Sequence, residues 1–265
     1  MMTEKNKIGI FDSGIGGLTV LYQALKILPD EDYLYYADTK HVPYGEKSKA
    51  EVKKYVFEAV DFMVKKNVQA IVIACNTATG AAADDVRKAY NIPILGIEPA
   101  VKPALEIGQR PGKRVLVLAT RLTLQQDRYH QLVARLDSDH IADGVPLPGL
   151  VEFAEKFQFD EKVVLPYLTR AFSGLDLNQY STVVLGCTHF PLFKDMLQKL
   201  FPAQTAIIDG SVGTVKNLKR TLERRQALLH TGSGAIEYYL SGVKVEDEKK
   251  VQQYSQLFDR LNRIL

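Results

Sequence analysis

Residues 70–77 read AIVIACNT: five apolar positions in a row, then a cysteine and two small polar residues. An apolar run of this length, without alternation and closed by turn formers, marks a strand buried on both faces, as in a parallel sheet covered by helices. The stretch TVVLGCTH at 182–189 repeats the pattern. KIGIFDSG at 7–14 likewise pairs with KRVLVLATR at 113–121. Strand patterns at 8–11, 33–36, 92–97, 114–119 and 206–208 alternate with helical periodicity at 18–28, 48–64, 78–90, 124–136, 151–157, 163–172 and 190–200. Ser48 with Glu51 spells a capping box for the second of these helices. A basic helix is expected over 211–229, its KNLKRTLERR segment read as a solvated face, and an amphipathic helix from 246 onward. The expected fold is α/β: two similar domains with mostly parallel sheets flanked by helices, related by internal duplication. The first domain would comprise 1–98 plus 207–265 and the second 99–206.

Composition narrows the function classes. The chain has 265 residues, 46% of them hydrophobic, and a net charge of +3 from 34 basic and 31 acidic residues. That balance provides no large field for nucleic acid or a membrane surface. The polar start MMTEKNK and the lack of a membrane-length apolar run point to a cytoplasmic, soluble protein. Only two cysteines occur, too few for a disulfide framework. Cys187 and His189 alone lack the two further ligands of a structural zinc site, so no metal is expected.

The stretch GIFDSGIGGLTV at 9–20 has the strand, glycine turn and helix of a phosphate cradle. Its glycines at 14, 16 and 17 miss the dinucleotide spacing, and Leu18 stands where a phosphate loop carries lysine. A nucleotide-binding module therefore stays a competing reading that an ATP or NAD binding assay would decide.

Both cysteines should lie at the carboxyl edge of a sheet, where open α/β sheets bind ligands, and beside a helix N-terminus, which favours thiolate. The alternative is a pair of small buried hydrophobes. Two thiols in matched contexts suit proton traffic across a substrate carbon, one removing a proton while the other delivers one to the opposite face. They would remain unlinked. Asp12 and His189 are the nearest groups by motif to govern their protonation. A cysteine hydrolase built on Cys187 and His189 would need only one thiol.

Taken together, FDSGIGGLTV, VPYG at 42–45, ACNTAT at 74–79, GIEP at 96–99 and GCTHFPL at 186–192 resemble the cofactor-independent glutamate racemases, over essentially the whole chain. The resemblance implies that Cys75 and Cys187 are the acid/base thiols, with Asp12 assisting Cys75 and His189 assisting Cys187. It also implies a glutamate beside the second cysteine within LVEFAE at 150–155, with Glu155 the better match and Glu152 the fallback. GVPLPGLVE departs from the family's more usual cysteine-proline start just before it. Substrate binding carries over to Asp12, Ser13, Tyr44, Gly45, Asn76, Thr77, Thr188 and His189. Thr120 and Thr123, at the equivalent edge of the second half, are further candidates, whereas Asp38 and His41 read as structural or solvated. The resemblance further implies glutamate as substrate with aspartate as the alternative, no cofactor, a homodimer, and supply of D-glutamate to peptidoglycan. Removing a weakly acidic α-proton without an electron sink requires electrostatics and desolvation, hence an interdomain cleft.

Overall fold

The computed structural model describes residues 7–107, 112–137, 140–228 and 231–265; Leu229, where the basic helix is expected to end, and the first six residues lie outside these. Among the described residues, ten strands form two sheets. The first sheet holds β1 (Ile8–Asp12), β2 (Tyr33–Ala37), β3 (Ala70–Ile73), β4 (Ile94–Gly96), β9 (Ile236–Leu240) and β10 (Val243–Lys244) in the order β10-β9-β2-β1-β3-β4. The second holds β5 (Arg114–Ala119), β6 (Ala142–Pro146), β7 (Tyr180–Leu185) and β8 (Ala206–Asp209) in the order β6-β5-β7-β8. All pairings are parallel except β9 with β10.

The order β2-β1-β3-β4 matches β6-β5-β7-β8 strand for strand. The cysteine-bearing strands β3 and β7 therefore occupy equivalent positions, as internal duplication requires. Burial explains why both lack alternation. In the first sheet Ile8, Ile10, Tyr33, Tyr35 and Val72 face one apolar layer, while Phe11, Leu34, Tyr36, Ile71 and Ile73 face the other. In the second, Leu116, Leu118 and Val183 continue the first of those layers, so one apolar cluster runs between the sheets.

The helices are α1 (Leu18–Ile27), α2 (Lys49–Lys65), α3 (Asn76–Ala89), α4 (Val101–Ile107), α5 (Arg121–Gln125), α6 (Asp127–Leu136), α7 (Pro148–Glu155), α8 (Glu161–Ala171), α9 (Lys194–Gln198), α10 (Ser211–Arg224) and α11 (Glu248–Ile264). The capping box at Ser48 and Glu51 is present. Three expectations change. The helix over 190–200 is a 3-10 turn, Phe190–Phe193, followed by the short α9. The helix over 124–136 is two helices that meet at Gln126. The chain leaves the second sheet only after Asp209, because β8 pairs with β7 through that residue.

The amphipathic end of the chain docks as expected. Tyr254, Leu257 and Leu261 of α11 are buried, and Tyr22 of α1 donates to Asn262 at 2.7 Å. Arg260 reaches the other half, donating to Leu192 O at 2.8 Å and to Asp195 at 2.8 and 2.9 Å. No helix among the described residues is long and apolar enough to cross a membrane.

Candidate active site

β1, β3, β5 and β7 end at one narrow cleft lined by Ser13, Pro43, Tyr44, Gly45, Cys75, Asn76, Thr77, Thr120, Val151, Cys187, Thr188 and His189. Most of the expected site residues thus meet on one lining. Asp12 and Thr123 are set behind it: Asp12 is wholly buried, and Thr123 meets Thr77 at 3.0 Å and Thr120 at 2.9 Å. Thr77 and Thr120 also meet each other across the two halves at 2.9 Å. Pro43 and Val151 are apolar lining residues that no polar motif points to.

Both cysteines are buried free thiols. Cys75 caps α3, its sulfur accepting from Ala78 N at 3.4 Å and from Ser13 Oγ at 3.7 Å. The expected lowering of its pKa by the helix end does not occur. Burial pushes the thiol up to about 12, helped by the negative charge of Asp12, and together these outweigh the Ala78 N–H. Cys75 is therefore a protonated thiol at neutral pH.

Cys187 has a different environment: a 3-10 turn, Phe190–Phe193, follows it in place of a long helix. Its sulfur lies 3.6 Å from His189 Nδ1. The other ring nitrogen, Nε2, is 2.7 Å from Glu155 Oε1. Burial opposes charging this imidazole, but hydrogen bonds and charge interactions with Cys187 and Glu155 prevail and carry its pKa well above 6.5. Geometry also separates the two glutamates of α7: Glu155 faces His189, whereas Glu152 is exposed and lies 4.0 Å from Lys156 Nζ.

Asp12 accepts from Gly14 N at 3.0 Å and from Thr188 Oγ1 at 3.1 Å. Burial raises its pKa to about 6 despite the nearby His189 charge and these two hydrogen bonds. Asp38, read as structural or solvated, is buried and accepts from Tyr44 OH at 2.7 Å, from Ser241 Oγ at 2.9 Å, and faces His41 Nδ1 at 2.8 Å. Its partner Ser241 lies in the β9–β10 turn, and nothing local in the sequence announces that contact. Asn76 Oδ1 is buried with no hydrogen-bond partner among the described residues, leaving an acceptor at the cleft. No group of three or more His, Cys, Asp or Glu among the described residues could hold a metal ion.

A cleft between two matched sheet edges, with a thiol on each side, is the setting of a racemase. Residues 20–218 match the family described as Asp/Glu/Hydantoin racemase, and the chain belongs to that family. Within it the chain groups with the glutamate racemases and is an isomerase. It is 53% identical to "Glutamate racemase 2" of Bacillus subtilis, with 97% of this chain and 96% of that protein aligned. Two solved structures share the fold. Escherichia coli glutamate racemase, in complex with L-glutamate, is 29% identical with a TM-score of 0.79, covering 91% of this chain and 100% of that chain. Francisella tularensis glutamate racemase, in complex with D-glutamate, is 27% identical with a TM-score of 0.80, covering 96% and 93%.

Proposed function

We propose that the chain interconverts L- and D-glutamate by transfer of the α-proton between two thiols, without a cofactor. The observation that carries this reading is geometric: two unlinked thiols line one cleft, Cys187 beside the His189–Glu155 pair and Cys75 beside Ser13. His189, 3.6 Å from the Cys187 sulfur, has its pKa carried well above 6.5, while burial and the Asp12 charge hold Cys75 as a thiol. Cys187 takes the α-proton from one enantiomer and becomes a thiol. Cys75 gives its proton to the opposite face and becomes a thiolate, with Asp12 adjusting its protonation. The carbanion exists only between these two transfers, and the reverse reaction exchanges the roles.

Ser13, Asn76, Thr77, Thr120, Thr188 and the Tyr44–Gly45 backbone supply short polar groups for the two carboxylates and the ammonium of the substrate, and Asn76 Oδ1 is free to accept from that ammonium. Glutamate, rather than aspartate, is favoured by the ligands of the Escherichia coli and Francisella tularensis relatives. The two sheets with their helices form the two domains of the cleft, which closes on substrate. In the cell the enzyme acts as a cytoplasmic homodimer that supplies D-glutamate for peptidoglycan.

Proton exchange tests the chemistry. In D2O, with chelator and no added cofactor, L-glutamate should gain α-deuterium as it turns into the D enantiomer. Failure of both exchange and inversion would remove the proposal. Cys75→Ala should abolish interconversion; a hydrolase centred on Cys187 would survive it.

A further inference from the structure

The glycine-rich turn after β1 invites a ligand, yet its glycines face protein. Neither Gly14 nor Gly16 has a positive φ, so backbone conformation does not demand glycine at either position. A methyl group on Gly14 would overlap the Glu155 carboxylate, and one on Gly16 would overlap the His189 ring and stand 2.5 Å from Thr188 Oγ1. Between them, Ile15 N donates to Glu155 Oε1 at 2.8 Å, the same oxygen that meets His189 Nε2. Glu155 and His189 belong to the second sheet's half, whereas the turn belongs to the first. The converse also holds: Thr188, beside Cys187, donates to Asp12 of β1.

We infer that Gly14, Ile15 and Gly16 are positioning residues for Cys187. The two glycines open the space in which Glu155 and His189 stand, and the Ile15 N–H aims the carboxylate at the imidazole. Each thiol is thus served by a carboxylate that the opposite half of the molecule holds in place. Closing the halves assembles both proton relays at once, and parting them dismantles both. The inference rests on the two-thiol reading of the site.

A double-mutant cycle between Gly14→Ala and Glu155→Ala tests it, with Cys75→Ala and Cys187→Ala as controls. The atom that a Gly14 methyl would strike is the far end of a flexible side chain, so Gly14→Ala should fold with its carboxylate displaced. Each single variant should lose about 10- to 100-fold in kcat/KM, and the double variant no more than Glu155→Ala alone. The isotope effect on 2-deuterated glutamate should rise for the same single enantiomer in Gly14→Ala and Glu155→Ala. Losses that multiply in the double variant, or isotope effects that rise equally for both enantiomers, would overturn the inference. If Gly14→Ala fails to fold but the double variant folds, the methyl still acts through the carboxylate and the inference stands; if neither folds, it falls. Racemisation retained in either cysteine variant would instead overturn the two-thiol reading itself.

Discussion

Thr188 donates its hydroxyl to Asp12 across the cleft at 3.1 Å, so the residue beside one cysteine holds the carboxylate that serves the other. That bond favours the ionised carboxylate. Thr188→Val should raise the Asp12 pKa above its present value of about 6 and move the acid limb of kcat/KM upward by about one pH unit. A pH–rate profile with the acid limb in its original place would count against this role.

Asp12 also links activity to stability. Between its ordinary 3.8 and its folded value of about 6, the native state binds a proton that the unfolded chain has lost. Stability therefore falls as pH rises through that window and stays reduced above it, by about 3 kcal/mol. Asp12→Asn escapes this penalty. Its Tm should exceed the parent's by several degrees at pH 8 and converge with it toward pH 4, while kcat drops by about 100-fold. Equal melting at pH 8 would show that the buried charge costs nothing.

Asp38 fixes the Tyr44 ring through its hydroxyl. Asp38→Ala should loosen the 42–45 segment and raise KM for glutamate about tenfold with a smaller change in kcat, and Asp38→Asn should restore part of the loss. Steady-state kinetics on the three proteins decide it; a fall in kcat at constant KM would assign Asp38 a different task.

Arg260 joins α11 to the turn that follows His189, with its guanidinium 4.8 Å from the Phe159 ring centroid. Arg260→Ala should cost about 2–3 kcal/mol of stability, since it leaves the half-buried Asp195 carboxylate and Leu192 O without this donor. Chemical denaturation measures the loss, and Arg260→Lys should recover little because one ammonium cannot reproduce the forked donor set.

Much of this architecture was legible in the sequence because burial on both faces writes itself as unbroken apolar runs. AIVIACNT and TVVLGCTH identify β3 and β7 and the thiols at their ends. The strands without a sequence signature of their own are those whose neighbours supply the missing information. β6, ADGVP, is an edge strand with little apolar content, where a proline costs no ladder bond. β9, IEYYL, follows the basic helix yet pairs with β2 far back in the chain. Asp38 stayed hidden for the same reason, since its burial depends on Ser241. The preference for Glu155 over Glu152 finds its physical reason in the helix phase, which points one at His189 and the other at solvent. The pKa of Cys75 departs from expectation because a helix end can be read from sequence, whereas the extent of burial that outweighs it cannot.

The placement of β9 sets an order on biosynthesis. The second sheet draws its four strands from one continuous stretch, 114–209, and every strand bond in it is available once that stretch has emerged from the ribosome. β2, by contrast, has an unpaired edge until residues 236–240 are made, although β1 and β2 precede all the other strands in the chain. An exposed parallel edge on a hydrophobic strand is a site for mispairing with other nascent chains. The later-translated sheet is therefore the earlier to be completed, and the half that begins first waits longest with an open edge.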